Sequence, residues 1–281
     1  MSGLLRRPTI QALRNIWFLA LSTCTEGIRH RALWAIVCLA VLLNMANLGV
    51  ATLYSWDLGK VSVEFGLSAV AFTGLLLVFF LGMKILADDL ERSRIFMLLS
   101  RPVSIWQYLT GKFMGVTMIL FLATLILGIS AALSMRYVLW KYPAYVPPDF
   151  SWLTYLMALV CQYMSLVVVL AVSVLCFSFA SQPFVALLLA VSSYLVGQNM
   201  ELLRRVVLEN TSAGALSGQE NLVVALSWIF PNLSLFDKKY IAAYGIAFSG
   251  QEFTLLCLYC ISYSALLIYL ASLLFKRKEL A

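Results

Sequence analysis

The sequence predicts an all-α integral membrane protein, and three observations lead to that fold class. Hydrophobic residues make up 62% of the 281 residues and charged residues only 12%, and the mean hydropathy is +0.92, well outside the range of soluble domains. The charges leave five long apolar intervals, and about 20 apolar residues cross a bilayer core of roughly 30 Å. One interval, 150–200, is long enough for two crossings, and Ser181-Gln182-Pro183 divides it because proline cannot donate a helical hydrogen bond. We therefore expect six transmembrane helices in a single domain that covers residues 1–281.

The first predicted element is a helix over about residues 9–28 that is too interrupted to cross the membrane. Its polar side chains share one face of a helical wheel, although Phe18 and Leu21 intrude on that face. This pattern predicts an amphipathic elbow helix along the inner membrane surface; an ordinary cytoplasmic lead-in to the first span is the alternative. The polar face comprises Arg7, Gln11, Arg14, Ser22, Thr25 and Arg29.

The six predicted spans follow in chain order, with one charged loop and one long outer loop between them. The loop 86–112 separates spans 2 and 3, and the outer loop 201–252 precedes span 6. This outer loop turns apolar over 221–236 and contains Pro231, which favours short re-entrant or interfacial helices; a loosely ordered loop is the alternative. The spans are predicted at residues 32–55, 65–85, 113–135, 152–179, 183–200 and 253–275.

Orientation follows from the basic residues, which favour short cytoplasmic loops. If both termini are inside, the inner side holds thirteen of the twenty lysine and arginine residues. Trp34, Trp140 and Trp152 then fall near span ends, where indole rings prefer to lie. We expect both termini to be cytoplasmic, in a bacterial inner membrane.

The composition excludes several classes of chemistry. His30 is the only histidine, so one chain cannot form a site built on two histidines. No phosphate-binding loop motif occurs, so we expect no cofactor in this chain and no enzymatic activity of its own. The net charge of +7 is spread over helix ends, which favours anionic membrane lipid over nucleic acid as its partner. The six cysteines lie in apolar stretches, which indicates packing residues.

The hydrocarbon core of the predicted spans contains no Asp, Glu, Lys, Arg or His, although ion-coupled carriers usually have one there. Their polar side chains are amides and hydroxyls, which either line a substrate path or form hydrogen bonds between helices worth about 1 kcal/mol each. The candidates for the substrate path are Asn44, Asn47, Gln162, Ser193, Gln198 and Asn199.

The charged loop 86–112 stands out in so apolar a chain. Asp88 and Arg92 are spaced i, i+4 and can pair on a helix, and Pro102 disfavours helix at the preceding Arg101. Phe96 belongs to a short apolar cluster between them. The pattern predicts a short helix that docks another protein; a solvated loop that only sets orientation is the alternative.

The loop resembles the first cytoplasmic loop of the ABC type-two exporter permeases. The resemblance rests on Leu98-Leu99-Ser100-Arg101-Pro102-Val103-Ser104, with Glu91 upstream and Gly111-Lys112 downstream. Ser93 and Arg94 stand where Gly-Thr is common in that family, and Ile105 replaces a frequent basic residue. In the family this loop forms the coupling helix that contacts an ATPase. The resemblance implies that role for Asp88, Glu91, Arg92, Arg94, Phe96, Arg101, Pro102, Gly111 and Lys112.

The resemblance also implies a function. It predicts the permease subunit of an ATP-driven transporter that exports or flips a substrate, or passes force to an outer partner. The implied partners are a cytoplasmic ABC ATPase dimer, which binds ATP and Mg, a second permease subunit in a homodimer, and a periplasmic protein at the outer loop. A non-transporting membrane scaffold or assembly factor is the alternative; an intramembrane enzyme is less favoured because the spans lack converging titratable groups.

Overall fold

The protein is a bundle of long helices. Its structure, a computed structural model, describes residues 6–53, 58–91, 104–141, 143, 150–180, 182–211, 230–246 and 248–279. Within these ranges the chain contains no strand. The helices are α1 (Arg6–Arg29), α2 (Arg31–Leu53), α3 (Leu58–Leu76), a π-helical segment (Leu77–Gly82), α4 (Met83–Glu91), α5 (Ile105–Lys141), α6 (Trp152–Phe179), α7 (Pro183–Gln198), α8 (Met200–Thr211), a 3₁₀ turn (Leu233–Phe236), α9 (Lys239–Tyr244) and α10 (Gly250–Glu279).

Four of the described helical stretches are long and apolar enough to cross a membrane. Helices α1 and α2 together form a fifth candidate, bent by 63° between them. The bend lies at His30, and the Trp34 indole on α2 donates a hydrogen bond across it to the Ile28 carbonyl, 3.0 Å away. The prediction of an all-α membrane protein is therefore confirmed. The four stretches are Gly59–Ala87, Ile105–Lys141, Trp152–Phe179 and Gly250–Lys276.

Helix α6 lies at the centre of the bundle, and its residues 165–174 are all buried. It runs parallel to α10, since the Cys260 thiol lies 3.6 Å from the Met164 carbonyl and Leu267 packs with Ala171 two turns further along both helices. Helix α6 is thus the element that most of the bundle packs against.

Helix α6 runs antiparallel to α5. The Tyr155 hydroxyl near its start donates to the Gly128 carbonyl at 2.8 Å, and the Tyr163 hydroxyl two turns later donates to the Thr117 carbonyl at 3.4 Å. As the chain advances along α6, its partners on α5 therefore move back toward the start of that helix.

The break inside the longest apolar interval lies where the sequence predicts it. Helix α6 ends at Phe179, Ala180 is extended with ψ 145°, and Pro183 is the first residue of α7. Proline suits this position because an N–H in the first turn has no carbonyl partner within the helix, so its absence costs nothing there. At the other end of α6, the Ser151 hydroxyl caps the helix by accepting from the Leu153 N–H.

Two irregular elements lie in the core and were not predicted as such. The chain passes from α3 to α4 through the π-helical segment, of which only Phe80 is exposed. In the outer loop, residues 221–229 lie outside the described part of the chain. The 3₁₀ turn that follows buries Leu233 and Phe236 almost completely. A hydropathy pattern shows that both segments are apolar, but it does not show a change of helical pitch.

Candidate functional site

The predicted coupling loop connects two helices whose facing ends belong to one buried cluster. Met83 and Leu86 of α4 pack in this cluster with Tyr108 and Leu109 of α5, and Phe275 near the end of α10 joins them. The end of α4, the start of α5 and the last turns of α10 therefore lie at the same end of the bundle. Residues 92–103 lie outside the described part of the chain.

Four of the nine predicted coupling residues fall on described helices. Asp88 and Glu91 belong to the last turns of α4, and Gly111 and Lys112 belong to the second and third turns of α5. The remaining five lie in the stretch that the structure does not describe: Arg92, Arg94, Phe96, Arg101 and Pro102.

A reciprocal cap fixes the start of α5 at the end of the coupling loop. The Ser104 N–H donates to Gln107 Oε1 at 3.3 Å, and the Gln107 N–H donates to the Ser104 hydroxyl at 3.4 Å. This is a capping box, which satisfies two backbone donors at a helix start. The Ser-x-x-Gln spacing is visible in the sequence and marks the end of the loop.

Helix α1 packs along the first half of α5, and two glycines make the close approach possible. A Cβ on Gly115 would lie 2.5 Å from Thr23 Cβ and 2.7 Å from the Ala20 carbonyl oxygen, and a Cβ on Gly111 would lie 2.7 Å from Leu19 Cβ. Real Cβ atoms do not approach backbone that closely, so neither glycine tolerates a side chain without displacing α1. Gly111 and Gly115 form a G-x-x-x-G motif, which lets helices meet at short range. The spacing of the two glycines is visible in the sequence.

The helix predicted over residues 9–28 is confirmed as α1. Its predicted polar face is exposed where the side chains are described, and the intruding Phe18 and Leu21 are exposed with it. Its opposite stripe is made of small residues that pack against α5, which the polar pattern alone did not indicate. That stripe comprises Ala20, Thr23, Cys24 and Gly27.

Lys112 lies inside this helix contact. The sequence places it at the mouth of the third span, but α5 begins at Ile105, so Lys112 is the eighth residue of the helix. Its side chain is 7% exposed, and its Nζ lies 3.7 Å from Oε2 of Glu26 on α1. An ionised lysine tolerates burial when a carboxylate stands close to it.

The predicted polar residues of the membrane interior fall into separate places. Asn44 of α2 is buried, and its amide donates to the Ser130 hydroxyl of α5 at 3.2 Å and to its own Ala40 carbonyl at 3.0 Å. The Asn44 side chain therefore joins two helices. Asn47 lies on α2 as well, where its side chain is outside the described part, and Gln162 is half-buried on α6.

The other three predicted residues lie in the second half of α7 and its cap. The Ser193 hydroxyl donates to the Leu189 carbonyl at 2.7 Å, and the Asn199 amide donates to the Leu195 carbonyl at 2.9 Å. Gln198 is the last residue of the helix. Of the five residues whose side chains are described, one thus lies on α2, one on α6 and three at the end of α7.

The irregular segment 231–236 closes the end of α7. A Cβ on Gly197 would lie 2.6 Å from the Pro231 carbonyl oxygen, so glycine allows the segment to approach. The Asn232 N–H donates to the Tyr259 hydroxyl of α10 at 3.2 Å, and the Phe236 and Tyr259 rings are 5.9 Å apart. Leu233 packs in the main core cluster.

The π-helical segment also contacts α7. The Phe79 ring meets the Tyr194 ring of α7 edge-on, with centroids 6.2 Å apart. Non-helical backbone within a membrane is tolerated where protein covers it or where it lines a cavity, and π-helical turns concentrate at functional sites. Leu233 and Phe236 of the 3₁₀ turn belong to the same core cluster as Phe79.

The chemistry available here is hydrogen bonding and apolar contact. In the part of the chain that the structure describes, no group of three or more histidine, cysteine, aspartate or glutamate side chains is placed to hold a metal ion. The tyrosines, serines and amides around segment 231–236 can hydrogen-bond a polar solute.

No protein-family model matches this chain, and no curated protein matches it. The resemblance to the ABC permeases is therefore a prediction that rests on the residues of the loop alone.

Proposed function

We propose that the protein is the membrane-spanning permease subunit of an ATP-driven ABC transporter of the type-two exporter class. The observation that carries the proposal is the segment Leu98–Ser104, which resembles the family's coupling loop and connects α4 to α5 at one end of the bundle. A separately encoded ATPase dimer supplies the energy, since the chain itself carries no phosphate-binding loop.

The anchoring of the loop suits the transmission of force. On one side, α4 is held by Met83 and Leu86 in the buried cluster, and on the other side the Ser104 cap begins α5. Because Gly111 and Gly115 hold α1 against α5, a displacement of the loop moves these two helices together. Packed helices transmit such displacements because their contacts are not continuously deformable.

The proposal includes six spans, with both termini on the cytoplasmic side of a bacterial inner membrane. In addition to the four long candidates, α2 and the 16-residue α7 then each cross the membrane. The direction of α7 supports this: Ala186 packs in the cluster of α4 and Phe177, whereas Gly197 approaches Pro231 at the opposite end. Helix α7 thus runs antiparallel to α6.

Two permease subunits pair in this proposal, and the substrate is exported or flipped, or force is passed to a periplasmic protein at the outer loop 201–252. The irregular layer formed by the π-helical segment, the end of α7 and the 3₁₀ turn is the part of the interior best suited to rearrange, because its backbone is not continuous α-helix.

A non-transporting membrane scaffold is the second candidate function. The hydrogen bond from Asn44 to Ser130 favours a scaffold, because it gives this predicted substrate-path residue a role in helix packing. A scaffold does not require an ATPase, so an ATPase gene beside this one and a stable complex with its product distinguish the two functions.

The proposal is tested by co-expressing the full chain with the neighbouring ATPase and measuring how much ATPase is retained on the purified chain. Arg101→Ala and Glu91→Ala are expected to lower retention by about tenfold, the effect of losing roughly 1.4 kcal/mol of binding free energy. Arg136→Ala is the matched control, because Arg136 is exposed near the far end of α5. Equal retention by all variants would contradict the docking role of the loop.

A further inference from the structure

An apolar groove runs along one side of the bundle, between α5 and α10 with α6 as its floor. Two neighbouring cavities of about 500 Å³ and about 550 Å³ form it. Val167, Cys260 and Ile261 line both cavities, so the two lie next to each other along the groove. Phe121 and Ile261 on its rim are 50% and 69% exposed, and in a membrane protein such a rim faces the bilayer.

The hydroxyl groups in the wall of the first cavity already have hydrogen-bond partners. The Thr117 and Thr124 hydroxyls, which line the first cavity, donate to carbonyls of their own helix at 2.8 Å each. The Tyr163 hydroxyl also lines it and donates to the Thr117 carbonyl. With its polar atoms satisfied in this way, the first cavity suits a hydrocarbon occupant.

The length of the groove fits a lipid chain. Along α6 the first cavity extends from Leu156 to Val167, about 16 Å at the rise of an α-helix. The hydrocarbon of one leaflet is about 15 Å deep, half of a bilayer core. The first cavity is therefore about as long as one acyl chain within one leaflet.

The end of the groove nearest the coupling loop carries the groups that meet a lipid headgroup. Trp106 and Tyr269 line this end, and such rings prefer the headgroup level. Lys276 lies two turns beyond Tyr269 on the same face of α10, and Arg14 follows the groove-lining Leu13 on α1; both cations are exposed. Cations at this level attract anionic phospholipids.

We infer that this groove is a binding site for one anionic phospholipid, whose acyl chain lies between α5 and α10 and whose headgroup meets Arg14 and Lys276. The site does not depend on the transport function proposed above. It holds equally for a permease and for a scaffold, so the two proposals fail separately.

The test is native mass spectrometry of the full chain released from nanodiscs that contain equal amounts of phosphatidylglycerol and phosphatidylcholine. The wild-type protein is expected to retain one lipid, mostly phosphatidylglycerol. Ala265→Trp and Val160→Phe fill the groove from its two ends and are expected to lower the retained fraction by about tenfold. Leu266→Trp is the matched control, since Leu266 is the neighbour of Ala265, is 54% exposed and does not line the groove.

Three results decide the matter. Loss of lipid in both filling variants but not in the control supports the site, and two independent variants guard against one that fails to fold. Equal retention in wild type, filling variants and control would overturn it. A change from dimer to monomer in the filling variants with lipid still bound would also overturn it, because the groove is then a protein interface.

Arg14→Gln together with Lys276→Gln is expected to abolish the preference for phosphatidylglycerol, and an unchanged preference would contradict the headgroup assignment.

Discussion

Lys112 on α5 is buried against Glu26 on α1, with 3.7 Å between Nζ and Oε2. The pair lies beside the two glycines that bring these helices together, and only eight residues beyond Ser104, where the coupling loop ends. An electrostatic contact therefore adds to the close packing of α1 on α5. The ion pair and the two glycines thus hold α1 against α5 near the start of α5.

The two charges of this pair are unequally exposed, so their loss has unequal effects. The Glu26 side chain is 41% exposed and the Lys112 side chain only 7%. Glu26→Gln removes a carboxylate from beside a buried ammonium and is expected to lower the free energy of unfolding by about 1–3 kcal/mol. Lys112→Met leaves a carboxylate that water reaches, so it is expected to lower the free energy of unfolding by less. Chemical denaturation in detergent micelles measures the free energy of unfolding of both variants. A larger loss in Lys112→Met than in Glu26→Gln would contradict the assignment of Lys112 as the buried charge.

Gly115 is expected to be the position on α5 least tolerant of a methyl group. Gly115→Ala places a Cβ 2.5 Å from Thr23 Cβ and 2.7 Å from backbone, so α1 must shift, at a cost of about 1–3 kcal/mol. Gly250→Ala is the matched control, because nothing lies within 4 Å of a Cβ there. Thermal unfolding of the two variants in the same detergent measures the difference. Equal melting temperatures would show that α1 does not pack closely at Gly115.

Asn44 and Ser130 are expected to be coupled energetically. Their hydrogen bond of 3.2 Å joins α2 to α5, and such bonds within membranes are worth about 0.6 kcal/mol and at most about 1.7. A double-mutant cycle with Asn44→Ala and Ser130→Ala measures the coupling. A coupling of zero, together with loss of transport in Asn44→Ala alone, would assign Asn44 to the substrate path instead of packing.

Tyr259 is expected to hold the irregular segment in place through its hydroxyl. Tyr259→Phe leaves the Asn232 N–H without the acceptor that lies 3.2 Å away, which costs about 1–3 kcal/mol where the donor is shielded from water. Tyr240→Phe serves as control, since Tyr240 is 56% exposed. Hydrogen exchange measured by mass spectrometry is expected to increase over residues 230–236 in Tyr259→Phe alone. Unchanged protection there would show that the hydroxyl does not anchor the segment.

The sequence predicts the helical segments well where strong local signals mark their ends. Pro183 begins α7, and α6 covers 152–179 as expected, because proline and a serine cap act locally. Helix α5 instead extends over Ile105–Lys141, far beyond the predicted 113–135. A helix does not end where its residues stop being apolar, so hydropathy underestimates its length and does not show that Lys112 lies within the helix.

Features that depend on contacts between distant residues were not predicted. The approach of α1 to α5 depends on Gly111 and Gly115 facing residues of α1 that lie nearly a hundred positions away in the sequence. The π-helical segment and the 3₁₀ turn depend on Phe79, Leu233 and Phe236 fitting into one core. Apolar composition predicts that these residues are buried, but not which of them meet.

ATP turnover by the complex of this chain with the neighbouring ATPase tests the central claim, that the loop between α4 and α5 couples the protein to an ATPase. Purified complexes in nanodiscs are compared for wild type, Arg101→Ala and the control Arg136→Ala, whose arginine is exposed near the far end of α5. We predict that Arg101→Ala changes turnover per complex by about tenfold, the effect of roughly 1.4 kcal/mol on an activation barrier, while Arg136→Ala matches wild type. Wild-type turnover in Arg101→Ala, with the complex intact, would contradict the account.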